Sequence, residues 1–403
     1  MQLLLATIVA ALMSFVGGAA SAQTADRTIE EIKVETLARA QTGAYPALGI
    51  QPGDASDALG RIRTRDPDEW AAAWSAVADT YMAKGKTEAE AAGDQKDADA
   101  NFLRAWRLYY FGQWPAPTSA GKQAAYQHAV DAYLLHAKYF DPPLEVVRIP
   151  FEGSDIVGYL RLPANTPRPV PLVLAISGLD SRKETVAETY AAALSEGIGF
   201  FAVDSPGTGQ APLKAGETSD RMYSRVLDYL ATRPEIDKSR IVVHGQSFGA
   251  YWAAKLAHTE ARRLVGAVTQ SPPIHHTFQA DFFRNRMYTR EYLFDLLPAS
   301  LFVYGLKSTD DLLAFLPKMS LQEQHLLGQP TAPILVVGGT RDTQVPIDDL
   351  ELLINSGTQP REAWINPLGG HMGRSASTWP DPVIFRNVIL PWEVRQLRVK
   401  LSN

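Results

Sequence analysis

A serine between two glycines follows a run of β-branched residues in the middle of the chain. The run Ile241-Val242-Val243 leads into Gly245-Gln246-Ser247-Phe248-Gly249, and an alanine-rich segment comes directly after it. A serine on a sharp turn between a strand and a helix exposes its hydroxyl above the sheet, and glycines on either side keep the turn uncrowded. Because the pattern also occurs by chance in loops, its position after a buried strand is what favours Ser247 as a nucleophile.

A serine hydroxyl needs a base to take its proton, and the base needs an acid to fix its tautomer. His371 lies in a glycine-flanked loop after a late strand, whereas the other histidines fall in predicted helices, in a strand or in an insertion. Asp342 follows the preceding strand. Asp348 and Asp349 are alternatives, but they open a predicted helix, where the dipole favours carboxylates. The order serine, aspartate, histidine is typical of α/β hydrolases.

The oxyanion of an acyl-transfer intermediate needs two convergent backbone amides. One is predicted to be the N–H of Phe248, which directly follows the nucleophile. The other is predicted to come from the loop after the strand at 172–176, where we choose the N–H of Leu179.

Strand and helix patterns alternate from residue 144 onward, after a hairpin. This alternation predicts a mostly parallel, doubly wound α/β sheet in a catalytic domain at 144–403. The predicted strands are 144–151, 156–162, 172–176, 200–204, 241–244, 264–269, 334–337 and 362–365, and the helices are 184–195, 220–232, 248–258, 347–355 and one after 382.

The residues before this sheet have a helical period and few strand signals. Residues 23–143 are predicted to form a domain of four or five helices. Asp66, Pro67 and Glu69 mark one helix start, and that helix is expected to run through Tyr81. The aromatic cluster at 106–114 favours a core role over a substrate wall, and its spacing does not keep a fixed repeat period.

The alternation stops at 272–330, which is predicted to be a helical lid inserted at the carboxyl ends of the strands. Four lid aromatics are candidate substrate contacts: Phe278, Phe282, Phe283 and Tyr288. We therefore expect aromatic or cyclic substrates, unless these rings pack the lid onto the core.

Composition restricts the partners. With 403 residues and a net charge of −5, the chain has no basic footprint for nucleic acid or anionic membranes. It has no cysteine. An apolar run at 3–16 and the sequence Ala20-Ser21-Ala22 predict a signal peptide at 1–22 and a periplasmic or secreted protein, although no Lys or Arg precedes the run. An uncleaved anchor is the alternative, disfavoured by the short apolar run.

Several motifs together resemble one group of the α/β hydrolases. They are Phe102 to Tyr110, Ser177-Gly178-Leu179-Asp180-Ser181-Arg182-Lys183-Glu184, the segment around Ser247, and Gly370-His371. The chain is similar to the group that contains dihydroxypseudooxynicotine hydrolase and the fermentation-respiration-switch esterase-like proteins. The resemblance implies an α/β-hydrolase fold with an N-terminal helical domain. It also implies hydrolysis of an ester, or of a carbon–carbon bond next to a ketone, in a small molecule without metal or organic cofactor, often in a homodimer.

The motifs leave ester and carbon–carbon cleavage open, because both use the same triad. Ester cleavage is the preferred prediction. A prolyl-oligopeptidase-like peptidase is an alternative, but residues 28–140 lack the short strands of a β-propeller. A non-catalytic binding protein on the same fold is another alternative, although such a protein would usually have lost a triad member.

Overall fold

Within the part of the chain that the structure describes, five α-helices precede the first strand. The computed structural model describes residues 26–91, 95–375 and 378–399, so the predicted signal peptide at 1–22 lies outside the described residues. No helix in these ranges is long and apolar enough to cross a bilayer. The five helices are α1 (Ile29–Thr42), α2 (Pro52–Arg61), α3 (Pro67–Glu90), α4 (Gln95–Gln113) and α5 (Ala120–His136).

Helix α3 begins where the sequence predicts. The carboxylate of Asp66 accepts hydrogen bonds from the backbone amides of Asp68 and Glu69, both at 2.9 Å, and Pro67 occupies the first turn. The helix runs through Tyr81, as predicted, and continues to Glu90. The extra turns pack on α4, since a Cβ at Gly85 would meet the ring of Phe102 at 2.8 Å.

An eight-stranded sheet follows, in the order β1-β2-β4-β3-β5-β6-β7-β8 among the described residues. β1 and β2 form the predicted hairpin, β2 pairs antiparallel with β4, and all other neighbours are parallel. The mostly parallel α/β architecture is therefore confirmed. The strands are β1 (Glu145–Phe151), β2 (Ser154–Arg161), β3 (Val170–Ile176), β4 (Gly199–Val203), β5 (Ile236–Gln246), β6 (Gly266–Gln270), β7 (Ile334–Gly339) and β8 (Arg361–Asn366).

Helices connect these strands and cover both faces of the sheet. Helix α13 runs through a π-helical turn, Phe385–Ile389, into α14. The helices are α6 (Lys183–Tyr190), α7 (Arg221–Thr232), α8 (Phe248–Thr259), α9 (Ala280–Arg286), α10 (Leu296–Tyr304), α11 (Thr309–Phe315), α12 (Ile347–Ile354), α13 (Asp381–Ile384) and α14 (Leu390–Gln396).

The two faces of the sheet belong to two apolar cores. Alternate residues of β3 point to opposite sides, as strand geometry requires: Leu174 packs with α7, α8 and the lid, whereas Val173 and Ala175 belong to the core that continues into the N-terminal helices. Tyr133 of α5 stacks on Tyr159 of β2 with ring centroids 5.6 Å apart. The helical region is thus packed onto the sheet rather than tethered beside it.

The insertion between β6 and β7 carries α9, α10 and α11, in agreement with a helical lid. Its segment at 290–293 is bound to the helical region by two arginines. Arg27 donates to the carbonyls of Tyr292 (2.8 Å) and Arg290 (2.6 Å), and Arg39 donates to that of Glu291 (3.1 Å). The lid and the helical region therefore form one continuous roof over the carboxyl ends of the strands.

Candidate active site

Ser247 stands on the sharp turn between β5 and α8. Its backbone has φ 54° and ψ −118°, a region that side chains rarely occupy and that is typical of strained functional turns. The flanking glycines are required by close approach: a Cβ at Gly245 would collide with the carbonyl oxygen of Gly249, and one at Gly249 with that of Ser177. The predicted strand, turn and helix are all present, and they place the hydroxyl at the carboxyl end of the sheet.

His371 and Asp342 meet Ser247 from the loops after β8 and β7. The Nε2 atom of His371 lies 2.8 Å from Oγ of Ser247, and its Nδ1 atom lies 2.9 Å from Oδ2 of Asp342. The structure thus brings the three predicted residues into one hydrogen-bonded chain. Such a chain lets the imidazole take the serine proton while the carboxylate steadies the resulting charge.

The carboxylate of Asp342 has further hydrogen-bond donors. The amides of Gln344 and Val345 donate to Oδ1 at 2.8 Å, and the hydroxyl of Ser271 donates to Oδ2 at 2.8 Å. Burial alone would raise the pKa of Asp342, but the charge of His371 and these hydrogen bonds hold it below its usual value. Asp342 therefore stays ionised beside the imidazole.

The contact between Asp342 and His371 shifts the pKa of His371 in the opposite direction. Burial by itself lowers the pKa of His371, but the charge of Asp342 and their hydrogen bond outweigh it, and Glu291 adds to their effect. The pKa of His371 consequently lies above its usual value. The imidazole is a stronger base than a free histidine, at the cost of being protonated at mildly acidic pH.

Sequence reasoning did not find Ser271. It follows β6 directly with a positive φ of 51°, and its hydroxyl also accepts from the amide of Met372 at 2.8 Å. Ser271 therefore joins the loop of the acid to the loop of the base. The available signal was its position at the carboxyl end of a strand next to β5.

Glu291 of the lid is a second residue that sequence reasoning missed. One carboxylate oxygen accepts from the backbone amide of His371, and the other accepts from the amide and hydroxyl of Thr343 at 2.8 and 2.7 Å. The lid thereby fixes the loops on both sides of the base. No local pattern marks this glutamate, because its partners lie 52 and 80 residues away.

The predicted oxyanion amides lie beside the nucleophile. Phe248 is the first residue of α8, so its amide has no carbonyl one turn earlier in that helix. The amide of Gly178 donates to Oγ of Ser181 at 2.6 Å, which makes it unavailable and leaves Leu179 as the next amide of the loop. Leu179, Ser247 and Phe248 line the same cavity.

Arg182 anchors this oxyanion loop to the helical region. Its guanidinium donates to the carbonyl of Leu179 at 3.2 Å, to the side chain of Gln113 at 3.0 Å and to the carbonyl of Pro115 at 3.0 Å. The side chain is almost fully buried. The residues around the end of α4 therefore help to fix the peptide that would bind the oxyanion.

A cavity of about 490 Å³ opens over Ser247 and His371. Its walls come from the sheet, the lid and the helical region, including the segment between α1 and α2. The large aromatic side chains that line it are Tyr45, Trp114, Phe248, Phe278, Phe283, Tyr292 and Tyr304.

Two of the four predicted lid contacts are in this wall. Phe278 and Phe283 line the cavity and are almost fully buried, whereas Phe282 and Tyr288 are not among the lining residues. Successive helix positions differ in direction by about 100°, so Phe282 points to a different side of α9 from Phe283 and is less buried. Tyr288 is 37% exposed beyond the end of α9. The prediction for Phe282 and Tyr288 is therefore corrected.

The alternative acids have other positions. Asp348 is exposed, and Asp349 accepts from the amides of His275, His276 and Thr277 at 2.8, 2.6 and 3.0 Å, which makes it a cap for the start of the lid. Among the described residues that line the cavity, His371 is the one histidine. The described residues contain no group of three or more His, Asp or Glu side chains that could hold a metal ion.

Two curated proteins are similar in sequence to this chain. The hydrolyase poxO of Penicillium oxalicum is 30% identical over 262 residues, which cover 60% of this chain and 61% of that protein. Esterase FrsA of Pectobacterium atrosepticum is 26% identical over 344 residues, covering 79% and 80% of the two chains. The chain therefore spans less than two thirds of the length of poxO.

Solved structures show the same fold. The 2,6-dihydroxy-pseudo-oxynicotine hydrolase superposes with a TM-score of 0.72 at 19% identity, covering 90% of this chain and 97% of that one. The pattern of the family described as "Esterase FrsA-like" matches residues 58–368. These findings confirm the family resemblance and the α/β-hydrolase fold, and the chain belongs to the FrsA-like esterase family.

Proposed function

We propose that this protein is a serine hydrolase that cleaves an ester of a small, aromatic or cyclic substrate. The observation that carries the proposal is the hydrogen-bonded chain from Ser247 through His371 to Asp342, with distances of 2.8 and 2.9 Å. In the first step, His371 takes the proton of the Ser247 hydroxyl while its oxygen attacks the ester carbonyl carbon. Asp342 stabilises the imidazolium that forms.

The oxyanion of the tetrahedral intermediate would accept from the amides of Phe248 and Leu179. Collapse of the intermediate breaks the bond to the alcohol, which receives the proton held by His371, and leaves an acyl group on Ser247. A water molecule, deprotonated by His371, then attacks the acyl carbon, and the bond to Oγ of Ser247 breaks as His371 returns the proton to that oxygen and the acid leaves. Each step uses groups already in position, so little rearrangement is needed during the reaction.

Cleavage of a carbon–carbon bond next to a ketone is the second candidate for the same triad. One relative in fold is named a hydrolase of 2,6-dihydroxy-pseudo-oxynicotine and not an esterase, whereas FrsA is named an esterase. Carbon–carbon cleavage additionally requires a proton for a carbanion leaving group. Ester cleavage needs no such donor beyond His371, which is why we propose it first.

The cavity supports an aromatic or cyclic substrate. Phe278, Phe283 and Trp114 offer apolar faces next to Ser247, and a volume of about 490 Å³ lies within the range of small-molecule sites. The helical region closes this space from above. A peptidase would need a cavity that opens differently, and a binding protein would usually have an incomplete triad. Both alternatives therefore have less support.

The test is active-site labelling with a fluorophosphonate followed by peptide mapping. The label should be found on Ser247, and Ser247→Ala should lose label and about 10⁴-fold or more of the turnover on p-nitrophenyl esters. Ser195→Ala, at an exposed serine after α6, is the matched control and should react as the wild type does. Normal turnover by Ser247→Ala would refute the mechanism.

We also propose that the protein is exported. The apolar run at 3–16 and the Ala20-Ser21-Ala22 site support cleavage before Gln23. Amino-terminal sequencing of the protein recovered from the periplasm or medium should begin at Gln23. A chain that keeps Met1 and sediments with membranes would contradict export.

A further inference from the structure

Five polar atoms in the wall of the active-site cavity form no well-aligned hydrogen bond with the described residues, although Trp114 lies close to the Tyr45 hydroxyl and Tyr292 lies close to Asp180. Buried polar groups are nearly always partnered in folded proteins, so a cluster of unpartnered ones calls for an explanation. They are the Tyr45 hydroxyl, the Trp114 indole nitrogen, Oδ2 of Asp180, Nε of Arg286 and the Tyr292 hydroxyl. We call the set formed by Tyr45, Trp114, Asp180 and Tyr292 the polar wall.

The polar wall lies next to the predicted oxyanion site. Asp180 directly follows Leu179, and both residues line the cavity that contains Ser247. Its main chain is fixed, because the Tyr110 hydroxyl donates to the Asp180 carbonyl at 2.7 Å. Asp180 itself is only 9% exposed.

The aromatic members are held in place around this carboxylate. The rings of Trp114 and Tyr292 stack with centroids 5.3 Å apart. Tyr292 belongs to the lid segment whose carbonyl is bound by Arg27, and Trp114 follows α4, so the polar wall joins the lid to the helical region. The unpartnered atoms are therefore fixed by rigid elements.

The charges of these groups decide which partner fits. Burial raises the pKa of Tyr45 and of Tyr292 well above the usual range, and the negative charge of Asp180 adds to both effects. Both phenols therefore keep their protons and can donate, as Trp114 does. Asp180 provides an acceptor.

We propose that the polar wall binds a hydroxyl group of the substrate, close to the carbonyl that Ser247 attacks; this inference rests on the proposed function. A hydroxyl can donate to Asp180 and accept from Tyr45, Trp114 or Tyr292 at the same time. A substrate carboxylate would be attracted by Arg286 in the same cavity wall but repelled by Asp180, so it suits the polar wall less well than a hydroxyl does. An ammonium group would leave the indole N–H of Trp114 without an acceptor. The substrate class is thus a hydroxylated aromatic or cyclic ester.

The experiment compares esters that differ by one hydroxyl. Phenyl benzoate is the parent, and the 2-, 3- and 4-hydroxy isomers on either ring are the probes, with each rate divided by its rate of hydrolysis by hydroxide. At least one isomer should be preferred over the parent by about tenfold or more in kcat/KM, since hydrogen bonds to charged groups are the strong ones. Preferences below tenfold for every isomer would overturn the proposal.

Substitutions in the polar wall test whether these residues cause the preference for the hydroxylated ester. Asp180→Asn and Tyr292→Phe should each reduce the ratio between the preferred isomer and the parent by about fivefold or more. The ratio is independent of the amount of folded enzyme, so partial loss of stability does not affect it. Tyr288→Phe is the control, because that tyrosine is exposed and lies outside the cavity. A ratio that stays at the wild-type value in both test variants would refute the polar wall.

Binding to Ser247→Ala separates this inference from the proposed function. Calorimetry should show that the preferred isomer binds this variant more tightly than the parent does, by a similar factor. If the wild type reacts with fluorophosphonate at Ser247 and cleaves the parent without any hydroxyl preference, only the inference fails. If Ser247 is not labelled and no ester is cleaved, the proposed function fails and the inference falls with it.

Discussion

Replacing Glu291 by glutamine should lower activity and also shift its pH dependence toward acid. Burial lowers the pKa of His371, but Asp342 and, to a smaller extent, the negative charge of Glu291 raise it above its usual value. Because His371 must be unprotonated to act as a base, removing this charge should lower the pKa that limits kcat/KM on the acid side. The acid limb of the profile should therefore move to lower pH while its plateau falls.

The expected decrease in kcat/KM of Glu291→Gln can be worked out from the hydrogen bonds of the Glu291 carboxylate. Its two oxygens accept from the amides of His371 and Thr343, the latter at 2.8 Å. Glutamine has one carbonyl oxygen, so its NH₂ group would face one of these amides. If the part-buried amide of His371 loses its partner, the cost is about 1–3 kcal/mol, or about 5- to 150-fold in rate if the transition state bears all of it. The exposed amide of Thr343 can bind water instead.

The assay is hydrolysis of p-nitrophenyl butyrate between pH 5 and 9, with the melting temperature measured on the same samples. Thr343→Val is the control: it removes the 2.7 Å hydroxyl contact to Glu291 but no charge, so its acid limb should stay in place. An unchanged or higher limiting pKa in Glu291→Gln would refute the reasoning. So would a loss explained entirely by unfolding.

Three other outcomes are expected. Asp342→Asn should lower kcat by about 10³- to 10⁴-fold with little change in KM, because the neutral amide holds the imidazole in the wrong tautomer; steady-state kinetics test this. Phe283→Ala should change the ratio of kcat/KM between aromatic and aliphatic esters by an amount equivalent to about 1–3 kcal/mol, whereas Phe282→Ala should keep the wild-type ratio. An equal change in both variants would show that neither ring contacts the substrate specifically. Glu393 is buried in α14 and has its pKa raised to about 8. That pKa exceeds the unfolded value, so stability falls as pH rises toward 8. The melting temperature of Glu393→Gln, measured by calorimetry, should therefore exceed that of the wild type by an amount that grows from pH 5 to pH 8. A difference that stays constant over this range would contradict the raised pKa of Glu393.

The three side chains of the hydrogen-bonded chain could be predicted because each follows the carboxyl end of a strand in a short local pattern. In a parallel sheet, such ends meet at one edge, so Ser247, Asp342 and His371 could be brought together without knowledge of the loops. Ser271 shares this position after β6 but lacks a glycine pattern. Glu291 could not be predicted, because its role depends on partners in two distant loops.

The walls of the cavity were harder to predict for the same reason. Phe282 and Phe283 are adjacent in the sequence, and only the rotation of α9 about its axis decides which ring faces Ser247. That rotation depends on how the lid packs against the helical region, through contacts such as Arg27 with Tyr292, 265 residues apart. The sequence pattern places Trp114 among aromatic residues of the core. Trp114 is indeed buried, but it also lines the cavity.

The charged segment after the oxyanion loop shows why the helical region and the sheet form one site. Lys183 contacts Asp204 at 3.1 Å and Glu184 at 2.9 Å, all almost fully buried, which fixes the start of α6 below the loop. Arg182 points the other way, to Gln113 and the carbonyl of Leu179. Without the helical region, this guanidinium would lose its hydrogen bonds to Gln113 and to the carbonyl of Pro115, and a hydrogen bond to a charged group is worth about 1.5–3 kcal/mol. The N-terminal helices therefore belong to the catalytic structure, since they hold the peptide on which the oxyanion would rest.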